Sequence, residues 1–225
     1  MRFNAYAFDK LKYDLEKDRE KVNEFIELQK AIKAKNRELM QKRDFEIKGT
    51  TLYRYRGRGP NVVIPNSITD VVAYVDSYGR GWLAFGTYGS GDCVRSITVP
   101  KSLTNIDGWT FYMCPNLEEI IIDEQNEVYY SEGNCIIEKE SKTLIVACKN
   151  SVIPQDIKNI ACRAFVRCDG ITSVNYNGTK QQWNSIEKDF DWDEGMGDYT
   201  VHCTDGDITF DDVPFKINGD WSLVL

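Results

Sequence analysis

The sequence predicts an α+β fold in which a long N-terminal helix precedes a short β-solenoid and a C-terminal cap. Residues 6–43 contain no Gly or Pro and place apolar residues at helical spacing. From residue 45 onward, short apolar runs alternate with Gly, Asn, Asp and Pro, which is typical of strands and turns. This second part repeats itself at intervals of about 20–29 residues, the spacing of solenoid repeats.

The N-terminal segment, residues 1–44, is predicted to contain one amphipathic helix over residues 6–43. Its apolar residues follow the 3–4 spacing of a single helix face: Leu11, Leu15, Val22, Phe25, Ile32 and Leu39. Asp18, Gln29 and Asn36 fill the alternate positions of the same stripe. A helix this charged is marginal alone in water, so the stripe predicts a partner. The partner is the flank of the repeats, a helix of another protein, or a second copy in a possible coiled coil, and we favour the second copy.

Charge is unevenly distributed along the chain. Residues 1–60 carry 16 Lys and Arg against 10 Asp and Glu, whereas residues 61–225 carry 12 against 25. We expect no nucleic-acid partner for the acidic part, because phosphate contacts need clustered Lys and Arg. No stretch reaches the roughly 18 apolar residues of a membrane span, and the N-terminus lacks the apolar segment of a signal peptide.

Residues 45–176 are predicted to form the repeats. An apolar residue followed by Pro opens three similar segments, at Pro65, Pro100 and Pro154. In the second and third segments a Phe, a Cys and an aliphatic residue recur at the same offsets. Buried repeat positions are therefore predicted at Phe85, Phe111, Cys114, Leu117, Phe165, Cys168 and Ile171. Because one repeat cannot close a core alone, we expect the Phe rings to stack as a ladder.

These positions form the pattern Ile/Val-Pro-x-x-Ile/Leu-x-x-Ile-x-x-x-x-Phe-x-x-Cys-x-x-Leu. It resembles the BspA-type (Treponema pallidum-like) leucine-rich repeats of bacterial surface proteins. Residues 133–145 are similar to a hairpin repeat, and residues 177–206 to a C-terminal cap, of such proteins from gut Firmicutes or an associated phage. The resemblance covers residues 45–208 and implies a leucine-rich-repeat solenoid at the cell surface or outside the cell. A cytoplasmic or virion location stays open because no signal peptide is predicted.

The segment 177–225 is predicted to be the cap and tail, with a short helix over 179–188. We expect no enzyme, cofactor or metal. His202 is the single histidine, and Cys203 would face the opposite side of a strand. The seven cysteines show no C-x-x-C spacing, so we expect reduced thiols packed as small apolar groups.

Aromatic and basic residues alternate at the start of the repeats, over Tyr53, Arg54, Tyr55 and Arg56. Such interleaving occurs in proteins that bind single-stranded nucleic acid. We favour an edge strand instead, with the tyrosines on one face and the arginines on the other.

Residues 72–82 form an insertion that other repeats lack, and they are rich in the Tyr, Arg and Trp typical of interface hot spots. Binding residues are predicted at Tyr74, Tyr78, Arg80, Trp82, Tyr88, Trp109 and Tyr112. Alternatively, the aromatic side chains plug the end of the solenoid. We expect a recognition or adhesion module for a protein or glycan. The alternative is a structural component, such as a phage virion protein, assembled through the N-terminal helix.

Overall fold

The structure is a computed structural model. It describes residues 5–72, 74–75, 81–82, 84–85, 93–106, 110–111, 114–165, 171–193, 196–209, 215–217 and 220–222. The chain divides into two compact units, Met1–Arg43 and Asp44–Leu225. Each unit is described by itself below.

The first unit is formed by helix α1, Ala5–Asp44, which has 40 residues and is about 60 Å long. It extends the predicted helix by one residue at each end. In the part of the stripe whose side chains are described, Val22, Phe25 and Leu39 are 56%, 60% and 54% exposed. Ion pairs one turn apart, such as Lys30 Nζ to Glu27 Oε1 at 2.8 Å, add modest support on the charged face.

The second unit is built from short strands. Its first strands are β1 (Phe45–Lys48), β2 (Thr51–Tyr55), β3 (Asn61–Val63), β4 (Asp70–Val71), β5 (Tyr74–Val75), β6 (Gly81–Trp82), β7 (Ser96–Val99) and β8 (Asn105–Ile106). The middle strands are β9 (Glu119–Ile122), β10 (Tyr129–Glu132), β11 (Cys135–Glu138), β12 (Thr143–Ala147), β13 (Val152–Ile153) and β14 (Asn159–Ile160). The last elements are β15 (Ser173–Tyr176), α2 (Lys180–Ser185), β16 (Glu187–Lys188), β17 (Thr200–Cys203), β18 (Gly206–Thr209), β19 (Phe215–Ile217) and β20 (Asp220–Ser222).

Parallel ladders connect equivalent strands of successive repeats, which makes this an α+β repeat protein. In the first half, one ladder joins β3, β7 and β9, and the other joins β2, β4 and β8. In the second half, one ladder joins β13, β15 and β17, and the other joins β12, β14 and β16. The antiparallel strands β10 and β11 extend the ladder that begins at β12, and β18 pairs with β17.

The predicted edge strand at residues 53–56 is wrong in position. Strand β1 pairs antiparallel with β2, so that Phe45 lies opposite Tyr55, while β4 flanks β2 on the other side. The edge is therefore β1. Tyr55 is buried, and its ring packs on Phe45 with centroids 5.2 Å apart.

The buried side chains form two clusters rather than one ladder of Phe rings. In the first cluster, Phe85 and Phe111 stack with centroids 5.3 Å apart and planes at 21°. In the second, Phe165 packs edge-on against Trp192 at 5.8 Å. The expected continuous ladder is thus divided, because the hairpin β10–β11 separates the two sets of repeats. Cys114 is buried in the first cluster.

Leu117 and Ile171 are also buried, at 3% and 5% exposure, and Cys168 lies outside the described residues. In the part of the chain that the structure describes, Cys135, Cys148, Cys162 and Cys203 are reduced cysteines. Within the described ranges, neither helix has the length and apolar character that a membrane span requires.

Helix α2 is shorter than the predicted 179–188. It begins with a capping box. The Thr179 hydroxyl accepts from the backbone N–H of Gln182, and the Gln182 side-chain oxygen accepts from the backbone N–H of Thr179. It ends at Ser185 because the chain then enters the ladder as β16. There Glu187 lies opposite Asn159.

Candidate recognition surface

Alternation along the ladder strands sorts side chains into inward and outward sets. In β3, β7 and β9 the inward residues Val62, Ile97 and Ile120 are buried. Their neighbours Val63 and Ile121 point outward and are 55% and 45% exposed. Successive side chains of a strand alternate faces, so this exposure follows directly from burial of the other set.

The outward residues line up across the ladder. We call the outer row Val63, Thr98, Ile121, Val152, Asn175, His202 and Asp207. In the first half, the strand register places Val63 opposite Thr98 and Thr98 opposite Ile121. In the second half, it places Val152 opposite Asn175, Asn175 opposite His202 and His202 opposite Asp207. The row is therefore aliphatic at one end and polar at the other.

The turn between β10 and β11 joins the two halves of the outer row. Asn134 Oδ1 accepts from the Ile120 N–H at 2.7 Å, and Asn134 Nδ2 donates to the Glu118 carbonyl at 2.5 Å. On the other side, the Val152 N–H donates to the Gly133 carbonyl at 2.7 Å. The turn thus occupies the place of a strand between β9 and β13. Gly133 and Asn134 both have left-handed φ angles, of 56° and 64°.

The polar end of the outer row contains the single histidine. His202 Nδ1 lies 2.9 Å from Asp207 Oδ1, and both side chains are exposed to solvent. The adjacent Cys203 instead packs against the second cluster. The imidazole therefore faces the Asp207 carboxylate and not the Cys203 thiol. His202 and Asp207 form a surface pair, and Cys203 does not serve it as a nucleophile.

Three of the described thiols, those of Cys135, Cys148 and Cys162, have little nucleophilic character. Burial raises the pKa of Cys135 to about 12, and burial also raises the pKa of Cys148 and Cys162. Since the thiolate is the reactive form, these groups stay protonated near neutral pH. Among the described residues, no group of three or more His, Cys, Asp or Glu side chains could hold a metal ion.

A second row follows the outward positions of the other ladder, and we call it the polar row: Thr51, Asp70, Asn105, Thr143, Asn159 and Glu187. A hydrogen bond connects two neighbouring members, from Asn105 Nδ2 to Asp70 Oδ1 at 3.3 Å. The two rows thus differ in chemistry, with aliphatic contacts available on one and hydrogen-bonding groups on the other.

The sequence-predicted binding residues Tyr78, Arg80, Tyr88, Trp109 and Tyr112 lie outside the described residues. For Tyr74 and Trp82 only the backbone is described, and it places them opposite each other in the β5–β6 hairpin. The outer row was missed at the sequence level. The sequence did contain a signal for it, because the outward positions of these strands carry Val and Ile where a solvent-facing position usually carries a polar residue.

Residues 86–188 match the model of the BspA type leucine rich repeat region, in six copies. This segment is a BspA-type leucine-rich-repeat region. Leucine-rich-repeat proteins are typically non-enzymatic and generally mediate protein interactions. The matched residues include the ladder strands from β7 to β16. With them they include the middle of the outer row and the last four members of the polar row.

A comparison with curated proteins found no match to this chain. Among solved structures, it is similar to a leucine-rich repeat protein from Eubacterium ventriosum at 17% identity and a TM-score of 0.34. The match covers 52% of this chain and 41% of that protein.

Proposed function

We propose that this protein is a non-enzymatic recognition or adhesion module that binds a protein or glycan through its repeats and the 72–82 insertion. In this proposal residues 45–176 form a short leucine-rich-repeat solenoid, with residues 177–225 as cap and tail. Residues 1–44 are a helical appendage. The repeat family supports a general role in protein interaction. The outer row supports placing the binding surface on the repeats.

The outer row is the observation that carries this proposal. Val63, Ile121 and Val152 expose between 44% and 55% of their surface on strands whose backbone is already hydrogen-bonded. A partner would therefore meet a rigid surface, and binding would order little of it. Aliphatic side chains at the centre and charged groups at the rim are typical of protein interfaces.

The rim beside the row is formed by an ion-pair network. Glu118 Oε1 lies 2.9 Å from Arg95 Nη1 and 3.2 Å from Lys149 Nζ. One carboxylate thus orients two cations from neighbouring turns. Exposed pairs of this kind add little stability, but they fix the direction of charges that a partner would meet.

The test compares proteins captured from one cell extract by the immobilised parent chain and by Ile121→Asp. We expect a set of captured proteins to be lost, because the variant places a charge in the middle of the aliphatic end. Asn66→Asp is the matched control. Asn66 is exposed in a turn outside the row, so this substitution adds the same charge at a different place. Equal capture by the parent and Ile121→Asp would refute binding through the outer row.

The insertion is tested separately with Tyr78→Ala, Arg80→Ala and Trp82→Ala. If these residues bind the partner, capture weakens while the melting temperature stays nearly unchanged. Loss of stability with capture intact would support the alternative in which the aromatic side chains plug the end of the repeats.

The second candidate function is a structural component assembled through helix α1. It is favoured by the described part of the stripe of that helix, where Val22, Phe25, Ile32 and Leu39 are all exposed. Heptad-spaced apolar residues with polar Gln29 and Asn36 between them are typical of weak coiled coils of defined register.

Light scattering on the full chain and on Phe25→Asp tests this second candidate. An oligomer that becomes a monomer in the variant supports assembly through α1. A monomeric parent chain at micromolar concentration would refute it.

A further inference from the structure

Phe190 projects into solvent from the cap. Its side chain is 93% exposed, compared with 60% for Phe25 on helix α1. Phe190 is the second residue of a turn that begins at Asp189. A hydrogen bond from the Trp192 N–H to the Asp189 carbonyl, at 3.2 Å, closes this turn. Exposing a whole Phe ring forfeits the free energy that its burial would supply.

The turn that carries Phe190 is fixed on both sides. Before the ring, the Asp189 N–H donates to the Ile160 carbonyl at 3.0 Å, and Asp189 Oδ2 accepts from the Cys162 N–H at 2.8 Å. After the ring, Asp191 is 5% exposed and its Oδ2 lies 2.6 Å from Arg163 Nη2. The backbone at Phe190 is therefore ordered before any ligand arrives, which reduces the entropy lost on binding.

An open cavity of about 560 Å³ lies beside this turn, and Asp189 is part of its wall. That volume falls in the range of small-ligand sites, which is roughly 300–1,000 Å³. The wall also contains Thr143, Asn159 and Glu187, which are consecutive members of the polar row. Neighbouring strands place these three side chains at steps of about 4.8 Å.

Acceptor atoms dominate this wall. Asn159 Nδ2 donates one hydrogen to the Ser141 carbonyl at 3.2 Å, which leaves its Oδ1 acceptor and the second Nδ2 hydrogen for a ligand. Lys188 also lines the cavity, but its Nζ donates to the carbonyls of Trp183 and Ile186 at 2.7 and 3.0 Å. The Lys188 amine is thus turned toward the end of α2. The carboxylates of Glu187 and Asp189 remain as acceptors for a ligand that donates hydrogen bonds.

We infer that this cap surface binds a neutral, hydroxyl-rich ligand such as an oligosaccharide. The Phe190 ring provides a face on which the C–H side of a sugar ring packs. The acceptors of Asn159, Glu187 and Asp189 receive its hydroxyl groups. This site goes beyond the proposed function, because it lies on the polar row and not on the outer row or the insertion.

Other ligand classes fit the same surface less well. Phosphate, sulfate and uronate groups are repelled by Glu187 and Asp189. A cationic peptide would gain little, because an exposed ion pair contributes only about 0–1 kcal/mol. Directional hydrogen bonds together with one aromatic face suit a neutral polyol best.

The test uses the full chain and a panel of neutral trisaccharides built from glucose, galactose or N-acetylglucosamine. Saturation-transfer NMR detects binding, and calorimetry measures Kd at low salt and at roughly 0.5 M NaCl. We expect at least one trisaccharide to bind with a Kd that salt does not change. Phe190→Ala should weaken it about tenfold or more, and Phe190→Tyr should stay within about threefold.

Asn150→Ala is the control, since Asn150 is exposed in a turn and is not part of the cavity wall, so Kd should stay unchanged. Ile121→Asp separates this site from the outer row, because it should abolish protein capture without affecting the sugar. The inference is overturned if no trisaccharide binds or if Phe190→Ala binds as the parent does. It is also overturned if only an oligolysine peptide binds, with an affinity that falls as salt rises.

Discussion

The side-chain amide of Asn134 pairs with the backbone of Ile120 as a neighbouring strand would. Its Oδ1 accepts from the Ile120 N–H at 2.7 Å and its Nδ2 donates to the Glu118 carbonyl at 2.5 Å. Ile120 belongs to the first core cluster, and Cys135, the residue after Asn134, belongs to the second. One side chain thus connects the two halves of the repeat unit.

Asn134→Ala is expected to lower the free energy of unfolding by about 2 kcal/mol, because it leaves a partly buried N–H and a partly buried carbonyl without their Asn134 partner. Urea denaturation measures this loss. Asn150→Ala is the control, since Asn150 is exposed in a turn and should cost less than about 0.5 kcal/mol. Equal stability of the two variants would contradict the role of Asn134.

Gly133→Ala is expected to destabilise more than Gly49→Ala. Both glycines have left-handed φ angles, of 56° and 62°, where a Cβ costs about 1–2 kcal/mol. A Cβ at Gly133 would also lie 1.8 Å from the Val152 carbonyl oxygen, whereas one at Gly49 meets nothing within 4 Å. The additional loss at Gly133 should be about 2 kcal/mol by chemical denaturation. Matching losses would mean that the contact with Val152 is not close.

Phe165→Ala is expected to cost about 3–5 kcal/mol, because the ring is 2% exposed and packs edge-on against Trp192. Phe190→Ala removes the same ring from an exposed position and should change stability by less than about 0.5 kcal/mol. Thermal unfolding compares the two variants. A Phe165→Ala protein that melts like the parent would refute the assigned repeat register.

Lys188 makes stability depend on pH. Burial lowers its pKa from 10.5 to about 8, and its Nζ lies 4.6 Å from the centre of the Trp183 ring. Between these two pH values the unfolded chain binds a proton that the folded chain does not, so the free energy of unfolding rises with pH. Relative to Lys188→Met, the parent should gain up to about 3 kcal/mol from pH 8 to 10.5.

Urea denaturation of both proteins across that pH range measures the gain. Taking the difference between them removes the contribution of groups that titrate in both chains. Parallel pH profiles would show that the amine is not desolvated in the folded state.

Local patterns in the sequence were sufficient to predict the long helix and the equivalent repeat positions. The 3–4 spacing from Leu11 to Leu39 predicted the long helix, because a helix face needs only the residues of one segment. The matched offsets around Phe111 and Phe165 indicated equivalent positions, and both rings are buried, at 7% and 2% exposure. Repeats make such inference possible because one unit is read several times.

Features that depend on distant partners were not predictable. Phe165 packs on Trp192 of the cap, which no repeat pattern could indicate. The Asn134 side chain makes the hydrogen bonds that a neighbouring strand would make, whereas the residues around it indicated only a turn. Phe190 reads as a core residue, since hydrophobicity alone cannot show that Asp189 and Asp191 hold its turn at the surface.

The parallel ladders also determine how this protein could change in length. Each added repeat would insert one strand into each ladder and extend the outer row by about 4.8 Å. A repeat added before β12 would displace the cap together with the cavity beside Phe190, because Thr143 and Asn159 of the cavity wall belong to β12 and β14. A lineage could therefore gain or lose repeats to match partners of different size, while the terminal binding chemistry is inherited unchanged.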